Sequence, residues 1–507
     1  VTTRRPPWAL AGVIAGCAGL ATSYATAMVL TIRESPVVAV AEGLIRLTPG
    51  AVAERAIAVL GHLDKPVLVA GVLLALLGCF AGAGRLARRG WWQPAVVWVA
   101  LAAVGLAAVA AQRGAGLVDA LPVLVGLLTW VSVHSALIDA LRRGVRRPEL
   151  ASHERRVFLI VAGTISLASV GIAVAGRFVG AGRRHVEASR RLLRIPGVTR
   201  RQAPADTSVG LTGVTPWQTP NEDFYLIDTT IAKPTIEPDE WSLRIHGMVE
   251  RELTLSYTDL VGRQMTESWI TLNCVSNEVG GGLVGNARWS GVRIADLLED
   301  LGIDPAADCV LQTSHDGWTC ATPIEALTDD RDAMLAVAMN GRPLPIEHGF
   351  PVRTVVPGLY GYVSATKWVV DLEVSTFADS MGYWTDKGWS ALGPVKIASR
   401  IDVPRSGDDV EAGRVSFGGV AWHQHTGIEA VEVQVDGGSW ERARLASAPS
   451  VDTWVQWAVT LDVPEGDHEV RVRAIGKDGE TQTSVLRAPD PDGATGLHTI
   501  AISASPA

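Results

Sequence analysis

Cysteine is scarce. There are five in a chain of 507 residues, Cys17 and Cys79 in apolar runs and Cys274, Cys309 and Cys320 scattered beyond them. Without a CxxCH run there is no covalent haem, and without clustered cysteines there is no spacing for an iron–sulfur centre or a structural zinc. Neither haem nor iron–sulfur cluster is expected, and any metal is held differently. Acidic residues are almost missing from the apolar runs; only Asp119 and Asp139 occur, near the ends of the fourth. Ion and substrate paths through membranes are marked by such residues, so a transporter or channel lacks its usual side chains. His134 is the only histidine deep in an apolar run. With no second histidine for a bis-histidine haem, it reads as a hydrogen bond between packed helices.

What is present divides in two. Through residue 204 the chain has 24 Lys and Arg against 9 Asp and Glu, a net of +15, and the remainder has 21 against 44, a net of −23. The first part contains five runs long enough to cross a hydrocarbon layer, near Trp8 to Thr31, Pro66 to Gly84, Ala95 to Ala111, Leu117 to Ile138 and Val157 to Val179. Arginines at Arg4, Arg5, Arg85, Arg88, Arg89, Arg142, Arg143, Arg146, Arg147, Arg155 and Arg156 outnumber Arg33, Arg46, Arg55, Lys65 and Arg113 on the other side. Positive charge stays inside, so the amino terminus is expected in the cytoplasm and everything after residue 180 outside. Glu154-Arg155-Arg156-Val157-Phe158-Leu159 resembles a twin-arginine export signal, the address of folded, cofactor-loaded domains. With no cleavage site evident behind it, the fifth span remains as an anchor.

Residues 1–180 thus read as a five-span transmembrane anchor and 181–215, rich in Arg, as a linker. From about Pro216 short strands and helices alternate. Trp241 to His246 has strand alternation, Ile294 to Leu301 helical spacing, and Val310 to Ser314 with His315-Asp316-Gly317-Trp318 reads as a hairpin closed by a two-residue Asp-Gly turn. That turn would set Cys320 opposite Thr313 rather than Cys309, which disfavours a disulfide. Residues 216–393 form an α+β domain. After about Pro394, strand-like runs at Val415–Trp422, Ala430–Val435, Trp454–Leu461 and His468–Ala474 give 394–507 the spacing of an immunoglobulin-like β-sandwich.

The chemistry concentrates in Thr271-Leu272-Asn273-Cys274-Val275-Ser276-Asn277, followed by Gly280 to Gly282, Asn286, Trp289 and Gly291. Downstream stand Met339 to Arg353 (MNGRPLPIEHGFPVR), Val356-Pro357-Gly358-Leu359-Tyr360-Gly361 and Thr366-Lys367-Trp368. In order and spacing these resemble the molybdopterin domain of the sulfite oxidase family, over about residues 216 to 505 and including the sandwich, which resembles that family's dimerisation domain. The resemblance implies a molybdenum–molybdopterin cofactor, with Cys274 as the catalytic centre's thiolate ligand to molybdenum, a soft donor suited to a metal already bound by sulfur. It further implies cofactor contacts from His348 and Arg353, from Thr366 and Lys367, from Tyr225 in the aromatic pair of Asp223-Phe224-Tyr225, and from Ser314. A buried phosphate needs such cationic donors.

The implied reaction is two-electron oxygen-atom transfer on a small S- or N-containing substrate, outside the membrane, with an external electron carrier or quinone, a homodimer through the sandwich and no nucleic acid. The chain departs from the sulfite-oxidising pattern in two places. Those enzymes carry a Tyr-x-Arg-Asn-His-like run where this chain has Tyr225-Leu226-Ile227-Asp228-Thr229, and a tyrosine shortly before the Met-Asn-Gly turn where it has Leu335-Ala336-Val337-Ala338. The first change removes a cationic partner for a dianion. Reduction of an S- or N-oxide, as in the family's protein-methionine-sulfoxide reductases, stays open. The competing class is a membrane-anchored binding module that keeps the fold without the cofactor, against which the joint presence of Cys274, His348, Arg353 and Lys367 speaks.

Overall fold

In the computed structural model, which describes residues 7–30, 32, 34–60, 63–112, 115–146, 151–179 and 182–506, the apolar runs form helices Trp8–Val29, Asp64–Leu86, Trp92–Ala110, Leu121–Arg146 and Ala151–Val179. All five are long and apolar enough to cross a membrane. Arg4, Arg5, Arg33, Arg113 and Arg147 lie outside the described residues, as do the side chains of Arg146, Glu154 and Arg155. Small residues set the packing. A Cβ at Gly12 would strike the Phe80 carbonyl and one at Gly84 that of Trp8, the close backbone approach that glycine permits between apolar helices. Among the described residues His134 makes no interhelical hydrogen bond: neither ring nitrogen has a partner there, and the ring stands edge-on to Trp98 at 5.4 Å. The helical backbones around it are already bonded internally, so the contact is aromatic, which corrects the sequence expectation.

Two further helices, Pro36–Leu47 and Gly50–Leu60, lie between the first and second spans. They escape a search for apolar runs because they are amphipathic and short, and the first is announced only by Pro36 at its opening turn. Thr229–Thr235 belong to the same helical unit, where the Thr230 hydroxyl and Ile231 N donate to the buried Glu42 carboxylate at 3.0 and 2.8 Å.

The second unit comprises Ser189–Asp228 and Ile236–Ala507. A mixed sheet joins strands Leu253–Ser256, Ser242–Gly247, Val369–Ser375, Cys309–Ser314 and Thr319–Pro323 in that order. The alternation read at Trp241 to His246 is realised there, with Leu243 and Ile245 inside. A second sheet runs Thr266–Asn273, Val284–Arg293, Met334–Met339 and Arg342–Pro343, with Arg353–Val355 also on Met334–Met339. Helix Ile294–Glu299 falls where its spacing put it.

The hairpin differs from expectation by one residue. Ser314 N donates to Trp318 O (2.9 Å), which closes a three-residue loop of His315, Asp316 and Gly317, and Cys320 lies opposite Gln312 while Thr313 pairs with Thr319. An Asp-Gly pair does not fix loop length, because Gly317 takes its positive φ within the longer turn. All five cysteines are free.

Beyond residue 394 two sheets share one apolar core. Ala398–Val403, Gly413–Trp422, Val455–Val463 and Arg444–Leu445 form one, and Asp409–Glu411, His498–Ser505, Gly466–Gly476, Ile428–Val435 and Glu441–Arg442 the other. Phe417 and Trp457 from the first meet Val433, Val472 and Ile500 from the second. Two buried tryptophans tie this part to what precedes it: Trp217 Nε1 donates to Trp454 O (3.0 Å) and Trp454 Nε1 to Trp217 O (2.8 Å). Within the Arg-rich stretch 181–215, residues Gly182–Leu192 are helical, and Thr199 and Val209 bond to Glu267 and Gln456.

Candidate active site

Strand Thr266–Asn273 is buried through its second half and delivers Cys274 at its end. Cys274 N donates to Leu283 O (2.9 Å), its carbonyl accepts from Asn277 N (3.1 Å), and Asn277 Oδ1 accepts from Leu283 N (2.8 Å). A short closed loop thereby presents one thiol, 8% exposed. Burial pushes that thiol above its ordinary pKa, against hydrogen bonds from the Ser276 backbone and side chain. The thiolate needs a neighbouring cation, which a bound metal supplies.

Arg353 opens its strand opposite Ala336 and is 5% exposed. Its guanidinium donates to the carbonyls of His348 and Thr354 (3.3 Å each) and lies 5.0 Å over the Trp289 ring. It has no carboxylate partner among the described residues, and burial pushes its pKa down to about 10. Gly349 makes this approach possible: its φ is +104°, and a Cβ there would crowd Lys367 and Arg353 at 3.0 to 3.1 Å.

His348 is buried and held near pKa 4, first by burial and then by the Arg353 charge. It is therefore neutral, with Nε2 placed 3.0 Å from Asn221 O. Asn221 is itself set by the Met-Asn-Gly turn. Asn340 and Gly341 both have positive φ, and Asn340 Nδ2 donates to Asn221 Oδ1 (2.7 Å) and Thr219 O (3.0 Å).

Lys367 pairs with Asp228 at 2.6 Å, donates to Glu347 O (3.2 Å) and lies 4.8 Å over Trp368. Trp368 is 1% exposed at φ +51°, a strained conformation for a bulky residue that surrounding packing has to impose. Thr366 is fully buried beside it; its hydroxyl meets Cys320 Sγ at 3.3 Å, and its N donates to Thr354 Oγ1 (2.7 Å). Ser314 stays within the hairpin, accepting from Asp316 N (3.4 Å), although His315 N donates to Trp368 O (2.8 Å).

Tyr225 stacks on Phe224 at 5.2 Å, and Phe224 stands edge-on to Trp289 and His348 at 5.7 and 5.6 Å. The Tyr225 hydroxyl and Asn273 O both border Gly361. Burial, with the nearby Cys274, raises the phenol pKa, while Arg353 opposes the rise. Tyr225, Cys274, His348 and Arg353 thus converge through Phe224 and Trp289; Thr366 and Lys367 join from the next segment, and Ser314 stands apart. Sequence reasoning missed Asn221, Asn340 and Asp228 as supporting groups. The Asn-Gly pair was the available signal for Asn340. A shallow cleft beside the Cys274 loop, lined by Asn273, Asn277, Glu278, Tyr360 and Trp422 among others, contains none of the seven expected site residues.

The donors fit a molybdenum–pterin cofactor. A free buried thiol can ligate the metal, and a buried guanidinium with no acid beside it among the described residues suits a group that brings its own anion.

Residues 230–384 match the family model described as the oxidoreductase molybdopterin-binding domain. Human mitochondrial sulfite oxidase is 29% identical over 301 residues, covering 50% of this chain and 55% of that protein, so the chain spans about half the length of the curated sulfite oxidases it matches. The uncharacterized oxidoreductase YuiH of Bacillus subtilis is 34% identical over 154 residues, covering 30% of this chain and 74% of the relative. Among solved structures, the sulfane dehydrogenase SoxCD from Paracoccus pantotrophus aligns at 21% identity and TM-score 0.49, covering 64% of this chain and 92% of that one.

Proposed function

The chain belongs to the sulfite oxidase family of molybdopterin-dependent oxidoreductases, and from that premise we propose that it transfers an oxygen atom to or from a small, uncharged S- or N-containing substrate on the outer side of the cytoplasmic membrane. When bound, the molybdenum–pterin supplies two-electron oxygen-atom chemistry. Cys274 would hold the metal, Arg353 would balance the cofactor's negative charge, Lys367, its own charge met by Asp228, would donate a hydrogen bond, His348 and Thr366 would orient the group, and Tyr225 would contact the pterin, with Ser314 the most distant contact. Neutral His348 donates a hydrogen bond without adding charge next to Arg353.

The observation that carries this reading is Arg353: a buried cation with no carboxylate partner among the described residues, in the same cluster as a free buried thiol. An anion such as sulfite is disfavoured because the Asp228 carboxylate occupies Lys367, and Leu335 to Ala338 offer only apolar side chains. The five apolar helices anchor the chain, and the arginine balance of their flanks supports the outer location of the catalytic part. The two C-terminal sheets support an immunoglobulin-like sandwich that dimerises, and electrons pass to an external carrier or quinone.

The test is molybdenum and pterin content of the detergent-solubilised chain beside its Cys274→Ser variant, both from cells that make the cofactor. Near-stoichiometric metal in the wild type, with loss of thiolate-to-molybdenum absorption and of sulfoxide or N-oxide turnover in the variant, is expected. Folded wild-type protein that stays empty, where a known family member is loaded, overturns the assignment.

A further inference from the structure

The chain leaves strand Gly413–Trp422 at His423. This residue is 8% exposed, and its Nδ1 is buried without a hydrogen-bond partner among the described residues. Two carboxylates of the turn following strand Gly466–Gly476 face the ring: Asp478 Oδ1 is 3.9 Å from Nδ1 and Glu480 Oε2 is 3.7 Å from Nε2. Both distances exceed the ~2.7–3.2 Å of a hydrogen bond. The two oxygens stand against different ring nitrogens, of which one ion takes only one, so one carboxylate swings toward the nitrogen that binds to reach the ~2.0–2.2 Å of a metal bond. One donor atom from each residue lies within 4.8 Å of the other two.

The surroundings hold this arrangement in place. Gly476 N donates to Glu480 O (2.8 Å), Gly479 N to Gly476 O (2.9 Å) and Glu480 N to Asp478 Oδ1 (3.0 Å). On the other side Gly427 N donates to His423 O (2.6 Å), and Lys477 N donates to Gly427 O (3.1 Å), joining the two turns. Gly476 leaves the space open, since a Cβ there would come within 2.6 Å of His423 Nδ1 and closer still to Asp478.

We propose that His423, Asp478 and Glu480 bind a divalent transition-metal ion of the zinc type, at a site separate from the catalytic cofactor. One imidazole and two carboxylates form an N/O donor set suited to such an ion, with water completing the shell. The carboxylates are about half exposed, 47% and 57%, so the ion enters from solvent and exchanges. Its role is structural: it fastens the turn whose next residue, Gln424, donates to Thr271 O and Asn273 Oδ1 behind the Cys274 loop.

The test uses the full chain in detergent, stripped with EDTA, with molybdenum content recorded before and after. Zn²⁺ alone is titrated by calorimetry and Co²⁺ alone by visible absorption, in the wild type, in His423→Ala and in an Asp478→Asn, Glu480→Gln double variant. One equivalent bound with Kd on the order of 10 μM, weakened at least about tenfold in either variant, with Tm raised by Zn²⁺ in the wild type only and molybdenum content unchanged, is expected. If the wild type binds Zn²⁺ no more tightly than the double variant, the three groups are only a surface polar cluster and the proposal fails. The double variant alters exposed side chains, so it decides the matter even where His423→Ala does not fold.

Discussion

Lys367 Nζ lies 2.6 Å from Asp228 Oδ2, with the two side chains only 10% and 6% exposed. A cation in the segment proposed to contact the cofactor therefore carries its own buried counter-charge, supplied from the stretch where sulfite-oxidising relatives are expected to carry an arginine. Asp228→Asn should raise the preference for anionic over neutral substrate by about tenfold, equivalent to about 1.4 kcal/mol. The ratio of kcat/KM for sulfite to that for a neutral sulfoxide measures this; an unchanged ratio removes Asp228 from specificity.

Arg353 has two backbone carbonyls and an indole face as partners. Arg353→Ala should lower pterin content of the purified chain at least about tenfold, since losing one member of a buried charge pair costs about 2–5 kcal/mol. Arg353→Lys should recover part of it. Quantifying the pterin after acid release checks both, and full occupancy in the alanine variant contradicts the role.

His348 is held near pKa 4 in the folded chain, below the ordinary histidine value of 6.5. The unfolded chain therefore takes up this proton first as pH falls. The stability associated with a neutral His348 is complete above about pH 6.5 and is lost progressively down to pH 4, at most about 3 kcal/mol. Urea unfolding at pH 7.5 and 5 should show the loss in wild type and a smaller one in His348→Gln. Parallel profiles assign the acid limb to other groups.

Gln424, from the C-terminal part, is 4% exposed and supports the strand that ends at Cys274. Gln424→Ala should destabilise the second unit by about 1–3 kcal/mol, the cost of leaving buried acceptors unpaired, and shift the molybdenum electron paramagnetic resonance signal by disturbing the Cys274 loop. A fall in Tm with an unaltered signal makes the residue purely structural.

The elements that rest on simple periodicity were legible in the sequence: five apolar spans, the Trp241 strand, the Ile294 helix and the C-terminal strand runs. The hairpin register was not, because it depends on loop length, which Asp316 and Gly317 do not specify. His134 misled because a histidine in apolar surroundings has no local rule separating a hydrogen bond from a ring contact; Trp98, distant in sequence, decides it. At the site, Cys274, His348 and Arg353 stood out through their motifs. Their supports were hidden because they come from remote segments: Asn221 reaches His348 across 127 positions, and Asp228 reaches Lys367 across 139.

The reciprocal indole contacts of Trp217 and Trp454 span 237 residues. During synthesis at roughly 5–20 residues per second, the first indole waits about ten to fifty seconds for its partner. Over that interval the strand leading to Cys274 also lacks Gln424 and the Trp454 amide that bonds Thr271. The nascent catalytic part thus leaves the ribosome with an unfinished floor, and any helper that loads the cofactor meets its completed seat only after the C-terminal strands carrying Gln424 and Trp454 have been made.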